Sequence, residues 1–307
     1  MGRIAYDEFS MFSENVAEYS LAVSANPVVS RVVTTLRDGR VVSALKWGDG
    51  SPRLVLVHGT AQNAHTWDTV ALALGLPILA IDLPGHGHSD WRDDATYTPQ
   101  TLADDIAPVV AEHAPHASVV VGMSLGGLTC LALAHSRPEL VRNLVMVDIT
   151  PGVTSKKAKA VLDFINGPQS FPSFDDLLAR TKEHNPTRSE SSLRRGILHN
   201  ARQLDDGTWE WRYDRRGRSN NENASREGEV ETATPRPDSL ALWDAIQALH
   251  CDLLVVRGGI SPVVDDDDIA ELKRRKPNAT VELVEGAGHS VQGDRPVELA
   301  KILARFG

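Results

Sequence analysis

The sequence predicts an α/β fold: a mostly parallel sheet of the eight-stranded type, flanked by helices and carrying an inserted helical lid. Three observations predict it. Short, wholly apolar runs alternate with helix-like segments along most of the chain, the pattern of βαβ units on a parallel sheet. Two strand-like runs near the start are joined by Arg37-Asp38-Gly39, and Asp-Gly is a strong hairpin signal. The alternation breaks once, between Pro151 and Asp238, where an insertion belongs.

Residues 1–28 read as a polar leader with helical spacing at Phe9, Phe12, Val16 and Tyr19, either packed on the body or frayed. Val28–Leu36 and Val41–Trp47 form the hairpin. The buried strands are then Leu54–Val57, Ile78–Ile81, Val119–Val121, Leu144–Val147, Leu253–Val256 and Val281–Val284. Their apolar continuity suits strands covered on both faces. Leu102–His113 and Leu125–His135 read as helices between them, and Pro296–Phe306 as a closing helix. The core is therefore expected over 29–150 and 239–307. The segment 151–214 is expected to be a helical lid, with helices over Lys156–Ile165, Phe174–Glu183 and Ser191–Gln203. From Arg215 to Asp238 large apolar residues nearly vanish, so a mobile polar linker is expected there.

Composition narrows the function. The 307 residues have a formal net charge of -9, which argues against nucleic acid or a polybasic membrane anchor as partner. No run approaches the roughly 20 apolar residues of a membrane span, and the first residues lack the pattern of a signal peptide. A cytoplasmic enzyme is expected. The two cysteines, Cys130 and Cys251, lie in apolar stretches and read as small buried side chains, not a disulfide framework.

The chemistry concentrates at Gly122-Met123-Ser124-Leu125-Gly126-Gly127, directly after the strand Val119–Val121. This is G-x-S-x-G between a strand and a helix. A nucleophile on so sharp a turn needs neighbours without side chains, and Gly122 and Gly126 supply that. The helix that follows points its N-terminus at the site, which favours developing negative charge. Three further motifs stand around it: His58-Gly59-Thr60, Asp82-Leu83-Pro84-Gly85-His86-Gly87-His88-Ser89, and Gly286-Ala287-Gly288-His289. With these four, the chain resembles the α/β-hydrolase superfamily, in its serine-hydrolase, esterase-like and lipase-like branch, over all but the leader and 215–238.

The resemblance implies roles. Ser124 would be the nucleophile and His289 the base, with the backbone N–H groups of Thr60 and Leu125 holding the oxyanion. His58 would be structural, and the loop of His86 and His88 structural rather than metal-binding. The family commonly places its acid after the strand Leu253–Val256, but Ser261 stands there, and a hydroxyl cannot stabilise an imidazolium as a carboxylate does. Asp148, ending the earlier strand, is the expected acid. Asp265 and Asp266 are the alternatives, although their run also suits a helix cap. Trp67 and Met123 are expected to line the substrate pocket. Arg194, Arg195, His199, Trp209 and Trp211 read chiefly as lid packing.

The function implied is hydrolysis of a small-molecule carboxylic ester or related acyl compound through an acyl-enzyme on Ser124, with no cofactor and no metal. A carbon-carbon bond hydrolase, a cofactor-free haloperoxidase or perhydrolase, and a receptor-like binding member are the other readings. Ser290 and Val291 follow the histidine, where carbon-carbon hydrolases tend to carry tryptophan.

Overall fold

The computed structural model describes residues 4, 6–23, 27–216 and 239–306. Eight strands form the main sheet: β1 Val29–Thr35, β2 Val41–Trp47, β3 Leu54–Val57, β4 Ile78–Ile81, β5 Val119–Met123, β6 Asn143–Val147, β10 Asp252–Gly258 and β11 Thr280–Val284. Their order is β1-β2-β4-β3-β5-β6-β10-β11. β2 runs antiparallel to both its neighbours, β1 and β4, and the other five pairings are parallel. The predicted fold class is the observed one.

The central strands are apolar because helices cover both faces. The helices Pro99–His113, Leu125–Ser136 and Ser239–Ala248 pack on one side, against Val55, Val57, Leu79, Val120 and Val255. Asp68–Leu74 and Pro296–Phe306 pack on the other, against Leu54, Leu56, Val121 and Val145. Among the described residues of the leader, Phe12–Tyr19 form a helix that packs on the body, the Phe12 ring lying 4.9 Å from that of Trp47.

The inserted segment departs from a purely helical lid. Its helices are Lys159–Ile165, Phe174–His184 and Glu190–Asn200, but it also holds a small antiparallel sheet of β7 Ser170–Phe171, β8 Ala201–Gln203 and β9 Trp209–Trp211. Trp209 and Trp211 are buried with Phe171, Leu177 and Tyr213, a satellite core that mixes aromatic and aliphatic side chains. The expected linker is partly anchored, since Arg216 pairs with Asp214 at 2.8 Å and stacks over Trp91. The rest of that linker, 217–238, lies outside the described residues. Among the described residues, no helix is long and apolar enough to cross a membrane.

Candidate active site

Parallel sheets gather functional groups at the C-terminal ends of their strands, and four such ends meet here. After β5 the chain turns at Ser124 with φ 51° and ψ -121°, a strained conformation for a residue with a side chain. The turn is held because Ser124 N–H donates to Val147 O at 3.2 Å, while Gly127 N–H donates back to Ser124 O at 2.9 Å. A Cβ on Gly122 would stand 2.2 Å from Gly126 O, and one on Gly126 would stand 2.4 Å from His58 O. Both positions therefore demand glycine, as the close turn required.

Beside it, β6 ends at Val147 and Asp148 follows with φ 50°. Val147 is in register with Val256 of β10, and Asp148 N–H donates to Val256 O at 2.7 Å. The fully buried Asp148 carboxylate is thereby placed against the β10 exit. Its Oδ1 accepts from Gly258 N–H at 2.8 Å. Its Oδ2 accepts from the Ser261 hydroxyl at 2.5 Å and lies 2.8 Å from His289 Nδ1. His289 Nε2 is 3.0 Å from Ser124 Oγ. The result is a continuous run of hydrogen-bonded groups from a buried carboxylate through an imidazole, about one-seventh exposed (15%), to a hydroxyl. The geometry suits an imidazole that takes a proton from Ser124 while the carboxylate holds its other nitrogen.

A cavity of about 270 Å³ opens over Ser124 and His289. Thr60 and Met123 are in its wall, together with Val161, Phe164, Ile165 and Val263. Among the described residues, the N–H groups of Thr60 and Leu125 donate to no protein acceptor, which leaves both available to a bound oxyanion.

Two expectations are corrected. Trp67 does not reach the cavity. It ends the short 3₁₀ turn Ala64–Trp67, points inward, and is fully buried with Leu45, Leu56 and Met123; the aromatic wall is Phe164 instead. Asp265 and Asp266 do not approach His289. Asp265 caps the helix Asp266–Arg275, accepting from Asp268 N–H at 3.0 Å, and pairs with Lys157 at 2.9 Å. Asp266 is exposed and pairs with Arg257 at 2.6 Å.

His58 is enclosed: its Nδ1 lies 2.7 Å from Gly59 O and its Nε2 accepts from Leu83 N–H at 2.9 Å. Burial lowers its pKa, which keeps the ring neutral and structural. His86 and His88 join no group of metal-ligating side chains among the described residues. One such group exists elsewhere and was not read from the sequence: His65, Asp68 and His199, all buried, with ligand atoms within 4.8 Å of one another. His65 lies 2.9 Å from Asp68 and 3.2 Å from Glu8. Burial alone would lower its pKa, but the two carboxylates raise it to about 9. The ring stacks on His199 at 3.8 Å, whose own pKa is held well down by burial and by the neighbouring His65 cation. The residues could hold a divalent ion only by displacing that proton.

Comparison with known proteins agrees with this architecture. The model of the alpha/beta hydrolase fold family matches residues 52–296. Esterase Rv0045c of Mycobacterium tuberculosis is 44% identical over 304 residues, covering 97% of this chain and 94% of its own. Its crystal structure superposes with a TM-score of 0.81 at 43% identity, covering 98% of both chains. The sn-1-specific diacylglycerol lipase ABHD11 of Xenopus laevis is 28% identical and covers 84% of this chain and 81% of its own. By fold, motif order and family match alike, the chain belongs to the α/β hydrolase fold family.

Proposed function

We propose that the chain is a serine hydrolase of carboxylic esters, in which Ser124 is the nucleophile, His289 the general base and Asp148 the acid that orients it. The observation that carries this reading is the unbroken hydrogen-bonded run from Asp148 Oδ2 through His289 to Ser124 Oγ, ending in a cavity large enough for a small acyl group. Likeness to a relative named an esterase supports it.

Ser124 Oγ attacks the ester carbonyl as His289 Nε2 takes its proton, and the carbonyl oxygen becomes an oxyanion facing Thr60 N–H and Leu125 N–H. One such donor is typically worth about 2.7–4 kcal/mol in the transition state. His289 then returns the proton to the departing alkoxide, leaving the acyl group on Ser124. Water gives one proton to the same imidazole as it adds to the acyl carbon; the bond from that carbon to Ser124 Oγ then breaks, Ser124 takes the proton back from His289, and the product departs as the carboxylic acid, which ionises in solvent. Asp148, held by Gly258 N–H and the Ser261 hydroxyl, stabilises the imidazolium at each step. The intact relay speaks against a receptor-like role. Labelling by a fluorophosphonate probe tests the reading: the native chain should label and Ser124→Ala should not. Equal labelling of both would overturn it.

A further inference from the structure

Behind the catalytic cavity lies a second one, of about 120 Å³. The two share Ala61, Gln62, Phe164, Asn185 and Ser290 in their walls, and Ser290 directly follows His289. The first is walled largely by apolar side chains. The second is mixed in character: Asn15, Asn63, Asn200, Asp68 and the two arginines Arg188 and Arg195 share its wall with Phe164, Leu193 and Trp211. Those arginines differ in one respect. Arg195 is paired, at 2.5 Å from Glu18 and 3.8 Å from Glu14.

Arg188 has no such partner. Its Nη2 donates to the Ser192 hydroxyl at 2.7 Å and to Ser192 O at 3.4 Å. Its Nε is buried without a hydrogen bond, packed over Gly293. Among the described residues, Nη1 donates to nothing, and no carboxylate lies within ion-pair distance. Asp294 acts on it through space, but that carboxylate is occupied by Thr187 Oγ1 at 2.8 Å and Gly288 N–H at 2.7 Å. Burial lowers the guanidinium pKa, the mark of a cation kept from water without full compensation. Such a charge is costly unless something pairs with it, and arginine is suited to bidentate capture of a carboxylate.

We propose that this second cavity is an anion subsite, with Arg188 as counter-ion, for esters whose acyl chain bears a second, free carboxylate. The inference deepens the serine-hydrolase reading and rests on it. The scissile ester would sit over Ser124 while the far carboxylate passes the Gln62–Ser290 wall to reach Arg188.

The test compares p-nitrophenyl monoesters of straight-chain dicarboxylic acids with neutral acyl esters of equal carbon number. At the chain length that spans the two cavities, the native chain should favour the charged ester in kcat/KM. Arg188→Gln should remove roughly 10- to 100-fold from that ester, mostly through KM, as loss of a charged hydrogen-bond partner does. It should leave the neutral ester within about twofold. A native chain with no preference at any length, or a variant that slows both esters alike, would overturn the subsite while neutral-ester turnover upholds the serine reading. A Ser124→Ala variant as active as the native chain would instead overturn the serine reading. Should Arg188→Gln fold poorly, free dicarboxylates can be tested as inhibitors of neutral-ester hydrolysis by the native chain. Inhibition no stronger than that by monocarboxylates of equal length would also overturn the subsite.

Discussion

Ser261 donates its hydroxyl hydrogen to the same carboxylate oxygen, Asp148 Oδ2, that faces His289 Nδ1. Ser261 occupies the place after β10 where the family commonly carries its acid. The position thus still points at the histidine's partner, with a neutral donor in place of a charge. Asp148 receives three polar contacts, from Gly258, Ser261 and His289, which fixes the carboxylate in one orientation.

Ser261→Ala should therefore lower kcat by roughly 10- to 100-fold with little change in KM, the effect of losing one hydrogen bond to a charged group. Asp148→Asn should cost far more, about 10⁴ in kcat, because the imidazolium loses its counter-charge and its tautomer is no longer set. Steady-state kinetics on one ester decides the order of the two.

Ser124→Ala should reduce kcat by about 10⁶ with a thermal midpoint close to the native one. Ser124 is partly exposed and makes a single side-chain hydrogen bond, to His289. Retention of most activity would remove the nucleophile from the scheme.

Asp265→Ala should separate stability from catalysis. The cap of the helix Asp266–Arg275 and one ion pair with Lys157 are lost, a cost of about 1 kcal/mol. Denaturant melts should show that loss while kcat stays within about twofold. A large fall in kcat would return Asp265 to the list of candidate acids.

The leader should respond to pH. Glu8 joins Arg31 at 2.5 Å and His65 at 3.2 Å. Burial would raise its pKa, but these partners lower it from 4.5 to about 2. A depressed carboxyl stabilises the fold above its unfolded pKa, and the contribution is lost as pH falls from 4.5 towards 2. His65 is raised from 6.5 to about 9, so its contribution is complete below 6.5 and lost as pH rises towards 9. Stability from this network should thus plateau between about pH 4.5 and 6.5. The thermal midpoint should decline on both sides, and a Glu8→Gln, His65→Gln double variant should show a flatter profile.

The Ser124 turn and the His289 loop are legible because both are local: glycine spacing, a preceding apolar run and a loop position suffice. Asp148 was legible as a strand end. What escaped depends on distant chain segments or on direction. His65 and Asp68 are an i,i+3 pair, but Glu8 from the leader and His199 from the inserted helix Glu190–Asn200 join them from distant segments that no spacing links. Trp67 faces the core and not the cavity, and residue type does not reveal which way a short turn faces. β7, β8 and β9 span only two or three residues each, too short for alternation to register.

The neighbourhood of β6 and β10 has a bearing on how such a molecule could be remodelled. The chain leaves the sheet after Val147 and returns on the adjacent strand, and the helix Ser239–Ala248 already supplies the crossover that two parallel strands need. A complete βαβ unit is therefore present without residues 151–238. Ser124, Asp148 and His289 all lie outside that excursion, whereas Arg188 and Phe164 lie within it. Exchanging the excursion between relatives would replace one side of the cavity wall while leaving Ser124, Asp148 and His289 where they stand.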